Sequence, residues 1–359
     1  MREILDWKHK VRAFFGGPQV PPGYLRDLLA ERIKAVPAGG SIDWVTYYFR
    51  DRHLAEDLLA AQRRGVRVTV TIEKQPRTSH ANDAVNEILA GPQGLGPGFR
   101  SLSLPLLSSR FRTGWEPRLH EKLYCFSHPQ PVAFLGSYNP SGDQPEEYPE
   151  IIREIGDQDR GYNVLVGITD PRLVRHLVAH ARFLHRMEIH GNQRFFLYNN
   201  LELQTKKGRI FFSPRIFSHP VIQFLNSLGP DCSLKFVISH LKGPTMARKL
   251  TKLAKKGLKV EVLADSTLRR VPESAERIIR DAGISFRRLG GESGLPMHDK
   301  FILVEAVEKR WVIFGSFNWT SRSWWLNQEI GVISADAGLH EAFTSRWEEL
   351  IGQAGDEKV

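Results

Sequence analysis

The sequence has little cysteine and no long apolar run. Only two cysteines, Cys125 and Cys232, occur among its 359 residues, which excludes a disulfide framework and a thiolate zinc site. Charged residues interrupt the opening MREILDWKHKVRAFF, so we expect neither a signal peptide nor a membrane anchor there. No uninterrupted apolar run approaches the ~20 residues that a membrane-spanning helix needs. We therefore expect a cytoplasmic protein, with peripheral attachment to a membrane as the alternative.

A surplus of positive charge distinguishes the composition. Lysine and arginine number 50 against 40 acidic residues, which gives a net charge of +10 and a pI near 9.6. The 41% hydrophobic and 25% charged residues are typical of a soluble globular protein, and 359 residues suffice for two domains. Positive charge attracts nucleic acid, an anionic membrane surface or a phosphorylated substrate. The charge alone does not decide among these partners.

Two segments of the chain follow the same pattern. Residues 41–74 and 233–266 each read as an apolar strand, a turn, a helix, a glycine and a strand with alternating valine. The glycines, Gly65 and Gly257, stand where each helix ends, which is the usual place for a residue with positive φ. A strand, a helix and a strand in this order form a parallel crossover unit. The repeat therefore predicts two similar α/β halves.

A short polar motif lies further along each half. LHEKLYCF at 119–126 lines up with MHDKFILV at 297–304, and GSYN at 136–139 with GSFN at 315–318. One His-x-Lys triplet alone would be read as a strand end with a chance pairing, but two copies at nearly the same spacing are hard to assign to chance. Side chains two apart share one face of a strand, so each histidine and lysine should point at the same place. The repeated residues are His120, Lys122, Ser137 and Asn139 in the first copy and His298, Lys300, Ser316 and Asn318 in the second.

At these residues the chain resembles the phospholipase D superfamily, which carries a His-x-Lys motif and a downstream Gly-Ser-x-Asn in each of two lobes. The resemblance runs from about residue 11 to about residue 351. It implies an α/β fold of two similar lobes, each a mixed sheet flanked by helices, related by a pseudo-twofold axis. It also implies one active site between the lobes. We place an N-terminal lobe at 1–190, a linker at 191–208 and a C-terminal lobe at 209–359.

The resemblance also implies roles for the repeated residues. One histidine attacks the phosphorus and forms a phosphohistidine, while the other protonates the leaving oxygen and then activates water or an alcohol. Lys122 and Lys300 supply positive charge, the two asparagines donate hydrogen bonds to the phosphate oxygens, and the two serines orient their neighbours. The family places a carboxylate, here Glu329, against the histidine of the opposite lobe. We therefore assign His120 as the nucleophile and His298 as the general acid and base, and we expect neither a metal nor a cofactor.

The chain departs from the family pattern at three places. The family has an aspartate seven residues after each histidine, where this chain has Ser127 and Glu305. In the first half, Asn163 stands where Glu329 stands in the second. An acidic insertion at 143–159 contains glutamates and aspartates that could substitute for the missing carboxylate.

Four further residues are candidates for substrate binding. Tyr48 and His240 follow repeated strands at their C-terminal ends, where ligands collect in parallel sheets, although packing is an equal alternative. Trp319 begins an aromatic stretch at 318–329 that suits acyl chains, a membrane interface, base stacking or core packing. Arg118 ends a basic segment at 108–118 whose other arginines are Arg110 and Arg112.

Three functions fit this set of residues. The first is an enzyme acting on phospholipids, either a phospholipase D or a phosphatidyltransferase of the cardiolipin or phosphatidylserine synthase type, at an anionic membrane surface. The second is a nuclease of the same superfamily, cleaving DNA or RNA. The third is a scaffold without activity that binds a polyanion. Because both motifs lie in one chain, we expect a monomer to be active.

Overall fold

The computed structural model describes residues 10–104, 116–142, 149–187, 195, 200–215, 219–290 and 295–354. Within these ranges the chain forms two α/β lobes, as predicted. The N-terminal lobe has the strands β1 (Val11–Phe15), β2 (Ser41–Thr46), β3 (Arg67–Glu73), β4 (Phe99–Leu102), β5 (Leu123–Phe126), β6 (Val132–Gly136) and β7 (Val164–Ile168). Its helices are α1 (Tyr24–Ala35), α2 (Arg52–Arg63), α3 (Asp83–Ala90), α4 (Pro149–Ile155) and α5 (Pro171–Arg186), with a 3₁₀ turn at Gly96–Gly98.

The C-terminal lobe repeats this order with one additional strand at the edge of its main sheet and one short two-stranded sheet. Its strands are β8 (Leu203–Thr205), β9 (Gly208–Ser213), β10 (Ser233–Ile238), β11 (Leu241–Lys242), β12 (Lys259–Asp265), β13 (Ser285–Leu289), β14 (Lys300–Glu305), β15 (Arg310–Gly315), β16 (Trp319–Thr320) and β17 (Glu329–Ser334). Its helices are α6 (Pro220–Ser227), α7 (Pro244–Lys255), α8 (Glu273–Arg280), α9 (Ser321–Trp325) and α10 (Ala337–Gln353).

The two main sheets have matching strand orders. The N-terminal sheet runs β1-β7-β6-β5-β2-β3-β4, and the C-terminal sheet runs β8-β9-β17-β15-β14-β10-β12-β13. The strands of each crossover unit pair in parallel, whereas the motif strands β5 and β14 pair antiparallel to their neighbours, so both sheets are mixed. Gly65 and Gly257, at the ends of α2 and α7, have φ of 90° and 95°, as the repeat predicted. Strand β8 lies inside the segment predicted as a linker.

A shared hydrophobic core joins the lobes. The inner faces of both sheets pack together with α5 and α10 in one cluster of buried residues. Helix α10 of the C-terminal lobe reaches the N-terminal sheet through Phe343, whose ring centroid is 5.2 Å from that of Phe15. Helix α5 makes the reciprocal contact, since the His180 ring stacks on Phe212 at 3.7 Å. Separate clusters bury the outer face of each sheet beneath that lobe's own helices.

Ser127 and Glu305, which replace the family's aspartate, lie at equivalent positions in the two sheets. Ser127 Oγ accepts a hydrogen bond of 2.7 Å from the backbone N–H of Ser41, at the start of β2. Glu305 Oε2 accepts one of 3.2 Å from Ser233 Oγ, at the start of β10. Each side chain therefore ties the end of a motif strand to its neighbour, which is a structural role.

A buried ion pair holds α10 against the second motif. Arg346 Nε donates to Asp299 Oδ2 at 2.9 Å, and Arg346 Nη2 donates to the Gly16 carbonyl of the other lobe at 2.5 Å. Both members of the pair are almost completely buried. Asp299 lies between His298 and Lys300, so this pair also supports the backbone of the motif.

Replacing Arg346 should destabilise the fold strongly. The substitution Arg346→Leu leaves the Asp299 carboxylate buried without its cation, which costs about 3–5 kcal/mol of unfolding free energy. Lys207→Ala is the matched control, because the Lys207–Asp336 pair of 2.8 Å has an exposed lysine and is worth less than about 1 kcal/mol. Urea unfolding of both variants measures the difference, and equal losses would contradict the assignment.

Candidate active site

Backbone hydrogen bonds between the lobes position the first histidine. The His120 N–H donates to the Gln328 carbonyl at 2.8 Å, and the Gln328 N–H donates to the Arg118 carbonyl at 2.8 Å. Glu329, the next residue after Gln328, therefore lies beside His120. Its Oε2 is 2.8 Å from His120 Nδ1, which is the contact across the lobes that the resemblance implied.

The second histidine has the same arrangement from the other side. The His298 N–H donates to the Tyr162 carbonyl at 2.9 Å, and the Tyr162 N–H donates to the Pro296 carbonyl at 3.0 Å. The following residue, Asn163, places its Oδ1 at 2.9 Å from His298 Nδ1. The Asn163 amide thus occupies the place beside His298 that a carboxylate of the acidic insertion was expected to fill as the alternative. Residues 143–148 of that insertion lie outside the described residues.

Hydrogen-bond donors surround the Glu329 carboxylate. Its Oε2 also accepts from Ser316 Oγ at 2.5 Å, while Oε1 accepts from Ser323 Oγ at 2.5 Å and from Asn327 Nδ2 at 3.1 Å. Burial opposes ionisation, but the charge and hydrogen bond of His120 outweigh it and lower the pKa of Glu329. An ionised carboxylate only accepts hydrogen bonds, so the proton of neutral His120 is on Nδ1 and Nε2 carries the lone pair.

The Asn163 amide is held in one orientation. Its Oδ1 accepts from Ser137 Oγ at 3.2 Å as well as from His298, and its Nδ2 donates to the Gln158 carbonyl at 3.1 Å. His298 Nδ1 must therefore carry a proton, which leaves Nε2 as the acceptor. The two serines of the motifs orient the partners of the histidines, as the sequence predicted, but one partner is charged and the other is neutral.

Burial shifts the pKa of both histidines downward. Desolvation lowers the pKa of His120 to about 4, with Glu329 opposing the shift and Lys122 adding to it. Desolvation also lowers the pKa of His298 well below its usual value, with the charges of Lys300 and Arg270 adding to the shift. Both imidazoles are therefore neutral at pH 7 when the cleft holds no anion.

The two motif lysines are buried beside their histidines. Lys122 Nζ donates to the His120 carbonyl at 2.7 Å, and Lys300 Nζ donates to the His298 carbonyl at 2.8 Å. Desolvation lowers the pKa of Lys122 to about 7, against the attraction of Glu329. Desolvation and the charge of Lys122 lower the pKa of Lys300 as well. A bound anion would reverse these shifts, because it stabilises the charged form of each lysine.

Two further carboxylates fix the approach to each motif. Glu73 Oε2 accepts from the Leu119 N–H at 2.6 Å, and Asp265 Oδ2 accepts from the Met297 N–H at 3.1 Å. Leu119 and Met297 directly precede the motif histidines. Sequence reasoning missed both acids, although they occupy equivalent positions in the repeat at the ends of β3 and β12.

The histidines open onto a cleft of about 580 Å³ between the lobes. Tyr48, His240 and Arg118 line it, together with Asn139 and Asn318. Their role in substrate binding stays a prediction. The Tyr47 ring centroid is 4.9 Å from that of His120, and the His240 ring centroid is 6.4 Å from that of His298. Arg322, from the aromatic stretch at 318–329, also lines the wall. Four cations that sequence reasoning missed complete it: Arg77, Lys242, Arg269 and Arg270.

Trp319 does not belong to this wall. Its side chain is 5% exposed, and its Nε1 donates to the Met246 carbonyl at 2.9 Å within the C-terminal core. Its ring contacts Phe236 and Trp324 edge-on at 5.3 and 4.5 Å. The substrate-binding prediction for Trp319 is therefore wrong, because β16 pairs with β11 and turns the indole towards α7. Arg110 and Arg112 lie outside the described residues.

Comparison with known families follows the same division into two repeats. The family described as "Cardiolipin synthase, PLD-like domain" matches residues 31–160 and again residues 222–351, together more than half of the chain. This chain belongs to the phospholipase D superfamily. Each matched segment contains one His-x-Lys motif and one Gly-Ser-x-Asn.

Individual proteins are similar to parts of the chain or to its whole fold. Mitochondrial cardiolipin hydrolase of Xenopus laevis is 30% identical over 134 residues, which are 37% of this chain and 60% of that protein. The human protein of the same name is 29% identical over 126 residues, 35% of this chain and 48% of that protein. The chain thus spans about half the length of these curated relatives.

Solved structures share the fold over nearly the whole chain. Phosphatidylserine synthase from Haemophilus influenzae Rd KW20 superimposes with a TM-score of 0.66 at 13% identity, covering 96% of this chain and 86% of that one. Polyphosphate kinase from Porphyromonas gingivalis superimposes with a TM-score of 0.62 at 14% identity, covering 95% and 47%.

Two features are absent from the part of the chain that the structure describes. No helix there has the length and apolar character to cross a membrane. No group of three or more histidine, cysteine, aspartate or glutamate side chains in those ranges is arranged to hold a metal ion.

Removing the charge of Glu329 and adding one at Asn163 should move the pKa values of His120 and His298 in opposite directions. Glu329→Gln removes the carboxylate that raises the pKa of His120, so that pKa should fall below about 4. Asn163→Asp adds a carboxylate beside His298, so that pKa should rise. NMR titration of ¹⁵N-labelled histidine measures both shifts. A Glu329→Gln variant whose His120 titrates as in the parent chain would contradict the contact between the lobes.

Proposed function

We propose that this chain is a phosphodiesterase that acts on phospholipids through a phosphohistidine intermediate. One observation carries the proposal: the histidines of both motifs open onto a single cleft, and each is backed by an acceptor from the opposite lobe. His120 has the lone pair of Nε2 available for attack, and His298 can take up a proton at Nε2 when the cleft binds an anion. In a cleft lined by cations, this pair suits an in-line displacement at phosphorus. A single copy of the chain suffices for this reaction, because both motifs belong to it.

The proposed reaction has two steps. In the first, His120 Nε2 attacks phosphorus, the bond from phosphorus to the leaving oxygen breaks, and that oxygen takes a proton from His298 Nε2. In the second, His298 Nε2 removes a proton from water or an alcohol, whose oxygen attacks phosphorus and releases His120. Lys122 and Lys300 neutralise the equatorial oxygens, and Asn139 and Asn318 donate hydrogen bonds to them.

The difference between the histidine partners supports this assignment of roles. The phosphohistidine carries positive charge on the imidazole, and the Glu329 carboxylate at His120 Nδ1 stabilises that charge. His298 must give up a proton and recover it. The neutral Asn163 amide leaves the His298 imidazolium unstabilised, which makes it the stronger acid. Once bound, the substrate phosphate supplies the negative charge that keeps the proton on His298 until transfer.

The choice of phospholipid is supported by the names of the relatives. The curated proteins with 29–30% identity are cardiolipin hydrolases, and the matching family is described as cardiolipin synthase, PLD-like domain. We propose that the headgroup enters the polar cleft while the acyl chains stay in an anionic membrane, to which the chain binds peripherally. Hydrolysis and transfer differ only in whether water or an alcohol enters in the second step. The cationic wall of the cleft favours DNA or RNA cleavage as the second candidate function.

Trapping the intermediate tests the nucleophile. Acid quenching during turnover of a phospholipid labelled in the phosphatidyl group should leave the label on the peptide that contains His120, and His120→Ala should abolish labelling. Label on His298 would reverse the roles.

The same assay in chelator, with phospholipid vesicles beside single- and double-stranded DNA and RNA, tests the substrate. Cleavage of nucleic acid alone would overturn the lipid proposal, and loss of activity in chelator would overturn the proposed role of the lysines.

The pH profile tests the role of Lys122. The free-enzyme pKa of about 7 for Lys122 means that its charge is present below pH 7 and is lost as the pH rises through that value. We therefore expect kcat/KM to fall above about pH 7. In Lys122→Arg the guanidinium keeps its charge, so the fall should move to higher pH in whatever activity remains. An unmoved alkaline limb would assign it to another group.

A further inference from the structure

Three cationic side chains from both lobes lie around the cleft. Arg77 follows β3 in the N-terminal lobe, Lys242 lies on β11, and Arg322 lies on α9 of the C-terminal lobe. Lys242 pairs with Thr320 across β11 and β16, which brings it close to the start of α9. Lys242 is also two residues from His240. The three cations therefore share the cleft with the motif histidines.

The other cations of the cleft wall already have acidic partners. Each of them forms an ion pair with a carboxylate at the cleft or behind it. These pairs are Arg118–Glu116 at 2.9 Å, Arg269–Glu154 at 2.6 Å and Arg270–Asp265 at 2.8 Å. Their charge is therefore largely neutralised before any ligand binds.

Arg77, Lys242 and Arg322 differ in this respect. Within the described ranges, their side chains make no hydrogen bond and no ion pair. Lys242 and Arg322 are nevertheless half-buried. Burial, followed by the charges of Arg77, Arg269 and Arg322, lowers the pKa of Lys242. Cations held together in this way cost free energy, which a bound anion would offset.

The reacting phosphodiester does not need these three charges. It carries one negative charge, and Lys122, Lys300 and the protonated His298 at the bottom of the cleft already exceed this charge together with that of the Glu329 carboxylate. We propose that Arg77, Lys242 and Arg322 bind a second phosphate of the substrate, next to the phosphodiester that reacts. The inference rests on the proposed function and makes it more specific, because it selects phospholipids that contain two phosphodiester groups.

A comparison of substrates tests the inference on the full chain. Short-chain cardiolipin, which has two phosphodiesters, is compared with short-chain phosphatidylglycerol, which has one, in the same detergent micelles. The parent chain should prefer the lipid with two phosphates. Each of Arg77→Gln, Lys242→Gln and Arg322→Gln should lower the ratio of the two kcat/KM values roughly tenfold, mainly through KM, since each removes a charge-assisted hydrogen bond.

Lys252→Gln and Lys255→Gln are the matched controls. They remove the same charge from α7 of the same lobe, outside the cleft, and should leave the ratio unchanged. A ratio that falls equally in the controls would overturn the subsite, because general electrostatic attraction would then explain the preference.

Thymidine oligonucleotides with one or two phosphodiesters form a parallel series. A preference for two phosphates in that series alone, lost in the three variants, would keep the subsite but replace the lipid by nucleic acid.

A binding measurement separates the subsite from the reaction. In the His120→Ala chain, calorimetric titration with both lipids reports binding without turnover. Tighter binding of cardiolipin that is lost in Lys242→Gln would support the subsite even if the parent chain cleaved no phosphodiester, in which case only the proposed function would fall. Turnover of both lipids with equal kcat/KM and equal binding would leave the function standing and overturn the subsite.

Discussion

The hydrogen bonds between the backbones of the two lobes are the constraint on which the site depends. A histidine ring reaches only a short way from its own backbone, so a partner from another lobe must be held by the main chain. The pairs His120–Gln328 and His298–Tyr162 do this, at 2.8 and 2.9 Å. The shared core, in which α5 and α10 contact both sheets, keeps these pairs in register. Neither histidine would have its partner in an isolated lobe.

Burying the charged forms of the site's lysines and histidines costs free energy, and the bound substrate offsets this cost. Two lysines and two histidines are buried together at the bottom of the cleft, and desolvation lowers the pKa of each. The Glu329 carboxylate partly compensates for this at His120 and at both lysines, whereas His298 contacts the neutral Asn163 amide. An empty cleft therefore favours neutral groups, and an incoming phosphate favours charged ones. In the proposed reaction, the entering phosphate therefore raises the pKa values of these groups, and its binding also protonates the acid His298.

Much of the fold and of the site could be predicted from the sequence, because the duplication shows which positions of the two halves are equivalent. The two similar α/β lobes follow from the repeat, and the contact between His120 and Glu329 follows from the resemblance to the family. Asn163 was found as the equivalent of Glu329, but its contact with His298 needed the orientation that Ser137 and Gln158 impose. The side of a strand on which Trp319 lies depends on the pairing of β11 with β16, which no local pattern specifies. Arg77 follows β3 in one lobe and Lys242 lies on β11 in the other, so only the folded chain shows that they line the same cleft.

The two lobes have equivalent backbones around the site, but the proposed reaction gives the two histidines different roles. One unequal pair of side chains is enough to distinguish them. Glu329 and Asn163 occupy equivalent positions, accept from equivalent serines and contact equivalent ring nitrogens. They differ by one formal charge. In the proposed reaction, that charge stabilises the positive phosphohistidine at His120, whereas His298, beside the neutral amide, releases its proton in the first step and regains it in the second. The twofold geometry places both imidazoles in the same cleft. In the reaction that we propose, the unequal charge of their partners selects His120 for the covalent bond.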